Sequence, residues 1–125
     1  MILADTSVWI DYFRADDSEM RIYLLNEQVM MHPFVVAELA LGSLHDRRKT
    51  LAELDRLPQV QVAQLDEVRS MIEAHSLFSK GIGLTDVHLI ASCLMTQDVR
   101  LWTRDIRLGD VARAFGVIAI VPLPN

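Results

Sequence analysis

The chain has 125 residues, 51% hydrophobic and 23% charged, a composition that excludes a disordered or fibrous polypeptide and predicts one globular domain over residues 1–125. Its net charge of −5 and pI near 5.2 provide no overall basic character of the kind that marks many nucleic-acid binders. No apolar run reaches the roughly 18 residues of a membrane span. The single cysteine, Cys93, excludes an internal disulfide, and with no secretory leader in MILADTSVWIDYF the expected location is a reducing cytoplasm.

Ile2 to Asp5 reads as a short buried strand. Thr6 or Ser7 is expected to cap the helix that follows, with Val8, Trp9, Tyr12 and Phe13 facing inward. A second helix is expected from Ser18 to Glu27, then a strand over Val29 to His32. Pro33 suits the first turn of a helix that runs to about Leu41 and stops at Gly42. Arg47 to Leu57 is amphipathic and closed by Pro58, and Val60 to Val62 alternates like a strand.

Asp66 to Phe78 forms the next predicted helix, broken by Gly81-Ile82-Gly83. Thr85 is expected to cap a helix from Asp86 to about Gln97 that is apolar nearly all round, hence central and with Cys93 a buried structural thiol. Val99 to Thr103 reads as a strand, Leu108 to Phe115 as a helix ended by Gly116, and Val117 to Val121 as a last strand before Pro122. Strands alternating with helices predict an α/β fold with a mainly parallel central sheet of four to five strands, flanked by helices on both faces. Sites in such sheets form outside the carboxyl ends of the strands.

Four acids stand where an apolar pattern would not place them. Asp5 ends Met1-Ile2-Leu3-Ala4, Glu38 interrupts Phe34 to Leu41, Asp86 opens the apolar helix, and Asp105 follows Leu101-Trp102-Thr103-Arg104. Each alone has an ordinary role: Asp5 as a helix cap, Asp86 as a helix-start acid, Asp105 as a turn residue. Glu38 has the weakest such role, since its helix neighbours are Val, Ala and Leu. Asp5 and Asp105 sit at strand ends, and all four can meet at one edge of the sheet.

Two carboxylates about 4 Å apart repel by roughly 4 kcal/mol at an effective dielectric near 20, so a cluster of four calls for a cation. An all-oxygen donor set selects a hard ion, Mg²⁺ or Mn²⁺, over zinc. His32, His45, His75 and His88 have no metal-ligand spacing. Such an ion acidifies water and clamps phosphoryl oxygens, which points to hydrolysis of a phosphate ester or diester. Ser7 and Thr103 are candidates to orient the carboxylates, with helix cap and strand residue as their ordinary roles. Basic residues cluster at Arg47-Arg48-Lys49 and along Arg100, Arg104 and Arg107. Trp9, Phe34 and Trp102 read as core residues.

The segments LADTSVWID, HPFVVAELALG, GIGLTDVHLIAS and LWTRDIRL, in this order and spacing, resemble the PIN-domain ribonucleases, and among them the VapC-type toxins of toxin–antitoxin pairs. The resemblance covers nearly the whole chain and implies a PIN-like fold and Mg²⁺- or Mn²⁺-dependent endonucleolytic cleavage of RNA, often a tRNA or ribosomal RNA. It also implies a homodimer and an antitoxin partner whose tail enters the active site. By that likeness Asp5 and Asp86 are the principal metal ligands, completed by Glu38 and Asp105. Two other readings stay open: a phosphatase with Asp5 as nucleophile, although such enzymes want an aspartate where Ser7 stands, and a catalytically silent protein-binding module.

Overall fold

One apolar tripeptide organises the fold. Ile2–Ala4 (β1) is fully buried, as a strand must be when both faces of its sheet are covered. The computed structural model describes residues 1–15 and 18–122. After β1 come α1 (Thr6–Ala15), α2 (Ser18–Leu25), β2 (Val29–Met30), α3 (Pro33–Ala40), α4 (Arg47–Asp55), α5 (Leu65–Ala74), α6 (Leu84–Met95), β3 (Arg100–Trp102) and α7 (Ile106–Ala114).

β1 lies between β2 and β3 and is parallel to both, with Ile2 opposite Val29 and Arg100, and Ala4 opposite Trp102. The expected strands at Val60–Val62 and Val117–Val121 contract to single parallel bridges, Met31 with Gln59 and Leu101 with Ile118. Pro58 has no N–H to extend the first ladder backwards, and Val62 is already 40% exposed. At the other edge Ile120 is 77% exposed, so the chain has left the sheet there. The α/β expectation stands, with three paired strands and one bridge on each flank.

This order fixes where a ligand can sit. From β1 the chain moves to β2 on one side, whereas from β3 it passes through α7 to the Ile118 bridge on the other. The strand order reverses between β1 and β3, and the crevice outside their carboxyl ends is where α/β sheets bind ligands.

Several helix ends differ from expectation. The first residue with a side-chain oxygen in capping position on α1 is Asp5, which accepts the Val8 N–H (3.1 Å), in place of Thr6 or Ser7. Val8 and Trp9 are buried there, but Phe13 is exposed. α2 ends at Leu25 because Glu27 takes a left-handed φ of 55°. α5 stops at Ala74, short of Phe78, because Ser76 and Ser79 are left-handed (φ 52° and 61°). α6 starts at Leu84 with Gly83 as cap instead of Thr85, and α7 starts at Ile106 with Asp105 as cap. Gly116, at φ 72°, ends α7.

α6 buries every residue from Val87 to Cys93 and is central as expected. Burial pushes the Cys93 thiol up to about 12, so it stays protonated and inert at neutral pH. Trp9 and Trp102 are core residues, while Phe34 is about one-third exposed and packs on His32 and His88.

Candidate active site

Asp5 follows β1 directly and is buried, only 6% exposed. Its carboxylate is held from three sides: Oδ1 accepts the Ser7 hydroxyl (2.7 Å) and the Val8 N–H, and Oδ2 accepts the Thr103 hydroxyl. Those bonds answer the desolvation cost of a buried anion. Asp5 therefore both caps α1 and lines the cavity at the crevice. Ser7 and Thr103, predicted to orient the acids, do touch Asp5.

Thr103 extends the same order to β3. Its oxygen also accepts the Asp105 N–H (3.0 Å), and Asp105 in turn caps α7 by accepting the Leu108 N–H (2.9 Å). Asp86 lies in the first turn of α6, where its Oδ2 accepts the Gly83 N–H (3.1 Å). Glu38 is carried by α3 and accepts the Thr6 hydroxyl (2.5 Å). Thr6, expected only as a helix cap, instead serves an acid of the site.

Asp5, Glu38, Asp86 and Asp105 line one cavity of about 230 Å³, together with Thr6, Ser7, Thr85 and Leu89. The four acids are thus brought together, although only Asp5 is buried; Asp86 is half-buried and Glu38 and Asp105 are exposed. Asp86 records the crowding. Burial raises its pKa above the ordinary value, the Gly83 N–H lowers it, and the charges of Asp5, Asp105 and Glu38 raise it further.

Among the described residues, no three His, Cys, Asp or Glu side chains form a ready-made metal cage. The donor set nevertheless suits a small hard cation, which takes one or two carboxylates directly and keeps several waters. At about 30 Å³ per water, the cavity has room for such a shell.

Arg47, Arg48 and Lys49 border one cavity together with Arg56, whereas Arg100, Arg104 and Arg107 go to separate neighbours. Arg47 is spent on the end of α3, donating to the carbonyls of Ala40 (2.6 Å) and Gly42 (3.2 Å). Arg100 donates to the Gly116 carbonyl (2.8 Å). Arg104 pairs with Asp11 (2.7 Å) and lies over the Trp102 ring. Arg107 alone of the second cluster turns toward the loop after α5, against Gly81. His88, which the sequence left as structural or surface, is buried.

A PIN-domain family model matches residues 2–114. The ribonuclease VapC32 of Mycobacterium tuberculosis, in strains CDC 1551 / Oshkosh and ATCC 25618 / H37Rv, is 40% identical to this chain over 117 residues, covering 94% of each. With the fold, the strand-end acids and this likeness in agreement, the chain belongs to the PIN-domain family, on its VapC branch.

Proposed function

We propose that this chain is a divalent-metal-dependent endoribonuclease, the toxin of a toxin–antitoxin pair, acting through Asp5, Glu38, Asp86 and Asp105. The observation that carries this reading is the convergence of four carboxylates from four different elements on one cavity at the strand switch point. The metal is Mg²⁺, with Mn²⁺ able to replace it. When bound, the ion acidifies water and neutralises charge on phosphoryl oxygens.

The protein's own part is placement. Thr103, Ser7 and the Val8 N–H hold Asp5 still, so that little reorganisation is needed when an ion and a phosphodiester arrive. Asp86, with its raised pKa, gains most from a nearby cation. Thr6 holds the exposed Glu38 toward the cavity. Three hydrogen bonds to Asp5 weaken it as a nucleophile, which counts against the aspartyl-phosphatase reading.

The substrate is RNA, of the tRNA or ribosomal class. The partners are a cognate antitoxin and a second copy of this chain. Exposed apolar side chains at Leu41 (88%), Ile106 (81%) and Leu84 (52%) supply surface for such contacts. Residues 1–125 act as one domain in the cytoplasm, and no helix among the described residues is long and apolar enough to cross a membrane.

The test is cleavage of single-stranded RNA with Mg²⁺ or Mn²⁺, with EDTA as control. Asp5→Asn and Asp86→Asn are expected to abolish it while circular dichroism stays native. Cleavage that survives EDTA, or that survives both substitutions, overturns the reading.

A further inference from the structure

We infer that the cavity between the α5–α6 loop and α7 is a nucleotide subsite, holding the RNA strand beside the bond to be cut through Lys80 and Arg107 on phosphate and the His75–Phe115 pair on a base. This rests on the endoribonuclease reading above and specifies how its substrate is held. The cavity has a volume of about 590 Å³ and is separate from the acidic one. Leu77 and Val111 make its buried floor, and Lys80, Arg107, His75 and Phe115 make its walls.

Its cations are uncommitted. Among the described residues neither Lys80 nor Arg107 forms an ion pair or a side-chain hydrogen bond, whereas Arg104 is paired with Asp11 and Arg113 with Asp110. Asp110 also borders the cavity, so that carboxylate already has a cation of its own. In a chain of net charge −5, two unpaired cations facing one cavity make it a place for an anion.

Arg107 is also positioned. Its side chain lies so close over Gly81 that a Cβ there would meet Nη1 at 2.6 Å and Cδ at 2.7 Å. Gly81 has φ 75°, so the loop takes a conformation open to glycine and leaves the arginine its berth. Beside it, the rings of His75 and Phe115 pack edge to face with centroids 4.9 Å apart. Basic and aromatic walls over an aliphatic floor fit an unstacked nucleotide, since phosphate takes the cations and any base stacks on the ring.

The two cavities share α7. Asp105 caps that helix and faces the acids, while Arg107 stands two residues on, about 200° round the axis at 3.6 residues per turn. A strand that passes the acids and rounds the start of α7 reaches Arg107 within a turn. Sequence-tolerant binding is expected, because phosphate and ring stacking carry little base identity.

The experiment measures fluorescence anisotropy of a labelled single-stranded oligoribonucleotide of mixed sequence, using full-length Asp5→Asn protein so that the RNA stays intact. Adding Lys80→Gln and Arg107→Gln is expected to raise Kd about tenfold and to flatten the slope of log Kd against log salt by about 1.4, for two phosphates at about 0.7 each. Phe115→Leu is expected to raise Kd about fivefold with the slope unchanged. Lys80 and Arg107 are exposed, so melting temperatures should hold. Unchanged Kd in the double cation variant, a changed Kd with unchanged slope, or no RNA binding at all overturns the subsite. If the Kd shifts appear but the wild-type chain cuts no RNA, the subsite stands and the endoribonuclease reading fails.

Discussion

Thr103 donates its hydroxyl hydrogen to Asp5 Oδ2 across 98 positions of sequence. Asp5 follows β1 and Thr103 follows β3, so this bond ties the two strand ends together at the point where the strand order reverses. The same hydroxyl oxygen accepts the Asp105 N–H. One threonine therefore sets the backbone of one acid and the carboxylate of another.

Replacing Thr103 with valine keeps the shape and removes the hydrogen bonds. Loss of one such bond costs about 1 kcal/mol of stability. The larger effect falls on the metal: Mn²⁺ affinity is expected to drop about 10- to 100-fold, the usual consequence of freeing a ligand from its outer partner. Thr103→Ser, which retains the hydroxyl, restores it. Isothermal titration with Mn²⁺ measures this, and a valine variant that binds Mn²⁺ as the wild type does would show that Thr103 serves the fold alone.

Asp86→Asn separates stability from function. Burial first, and then the charges of Asp5, Asp105 and Glu38, hold the folded-state pKa of Asp86 above its ordinary value. The native state therefore binds more protons than the unfolded chain, and stability falls as pH rises through the folded pKa and stays lower above it. Asparagine removes that charge. Without metal at pH 7.5 the variant should melt higher than the wild type, while the rise in Tm given by Mg²⁺ should disappear. A variant that melts lower without metal contradicts a strained, crowded carboxylate.

The four acids were legible because each breaks an apolar pattern in chain positions that a parallel sheet brings to one edge. What held them was less visible. The Thr103–Asp5 and Thr6–Glu38 bonds span 98 and 32 residues, and no local periodicity encodes them. The helices expected from Asp86 and Leu108 start two residues earlier, at Leu84 and Ile106: Gly83 takes the cap of the first, and Asp105, expected as a turn residue, caps the second by accepting the Leu108 N–H. The strands expected at residues 60–62 and 117–121 shrink to single bridges because strand length depends on the partner. β2 offers only Val29–Met30 and the Met31 bridge. Arg47 stands in a basic run, yet its side chain satisfies carbonyls at the end of the helix that bears Glu38.

Gly81→Ala tests the berth of Arg107 by adding one methyl group. The new Cβ meets the arginine side chain at 2.6 Å and must sit at φ 75°. An alanine in that region costs about 1 kcal/mol or more, and the arginine must move. A fall in Tm of a few degrees is expected, together with weaker RNA binding that Arg107→Gln does not weaken further. Additive losses in the double variant would mean that the glycine and the arginine act independently.

His32 makes stability depend on pH below neutrality. Its ring is fully buried, caps α3 by accepting the Phe34 N–H at Nδ1 (2.9 Å), and among the described residues has no hydrogen-bond partner at Nε2. Burial, and then the charge of His88, lower its pKa to about 4 from 6.5. Between those values the unfolded chain holds a proton that the folded ring refuses, so stability falls as pH drops from 6.5 toward 4 and levels off below. The span corresponds to up to about 3 kcal/mol at 1.36 kcal/mol per pH unit. His32→Asn retains a good N-cap residue and loses the titration, at a cost in packing that does not vary with pH. Urea midpoints at pH 7.5, 6.5, 5.5 and 4.5 should show the wild type losing ground steadily against the variant, since His88, also lowered by burial, titrates in both. Parallel curves for the two proteins would mean that His32 does not couple folding to protons.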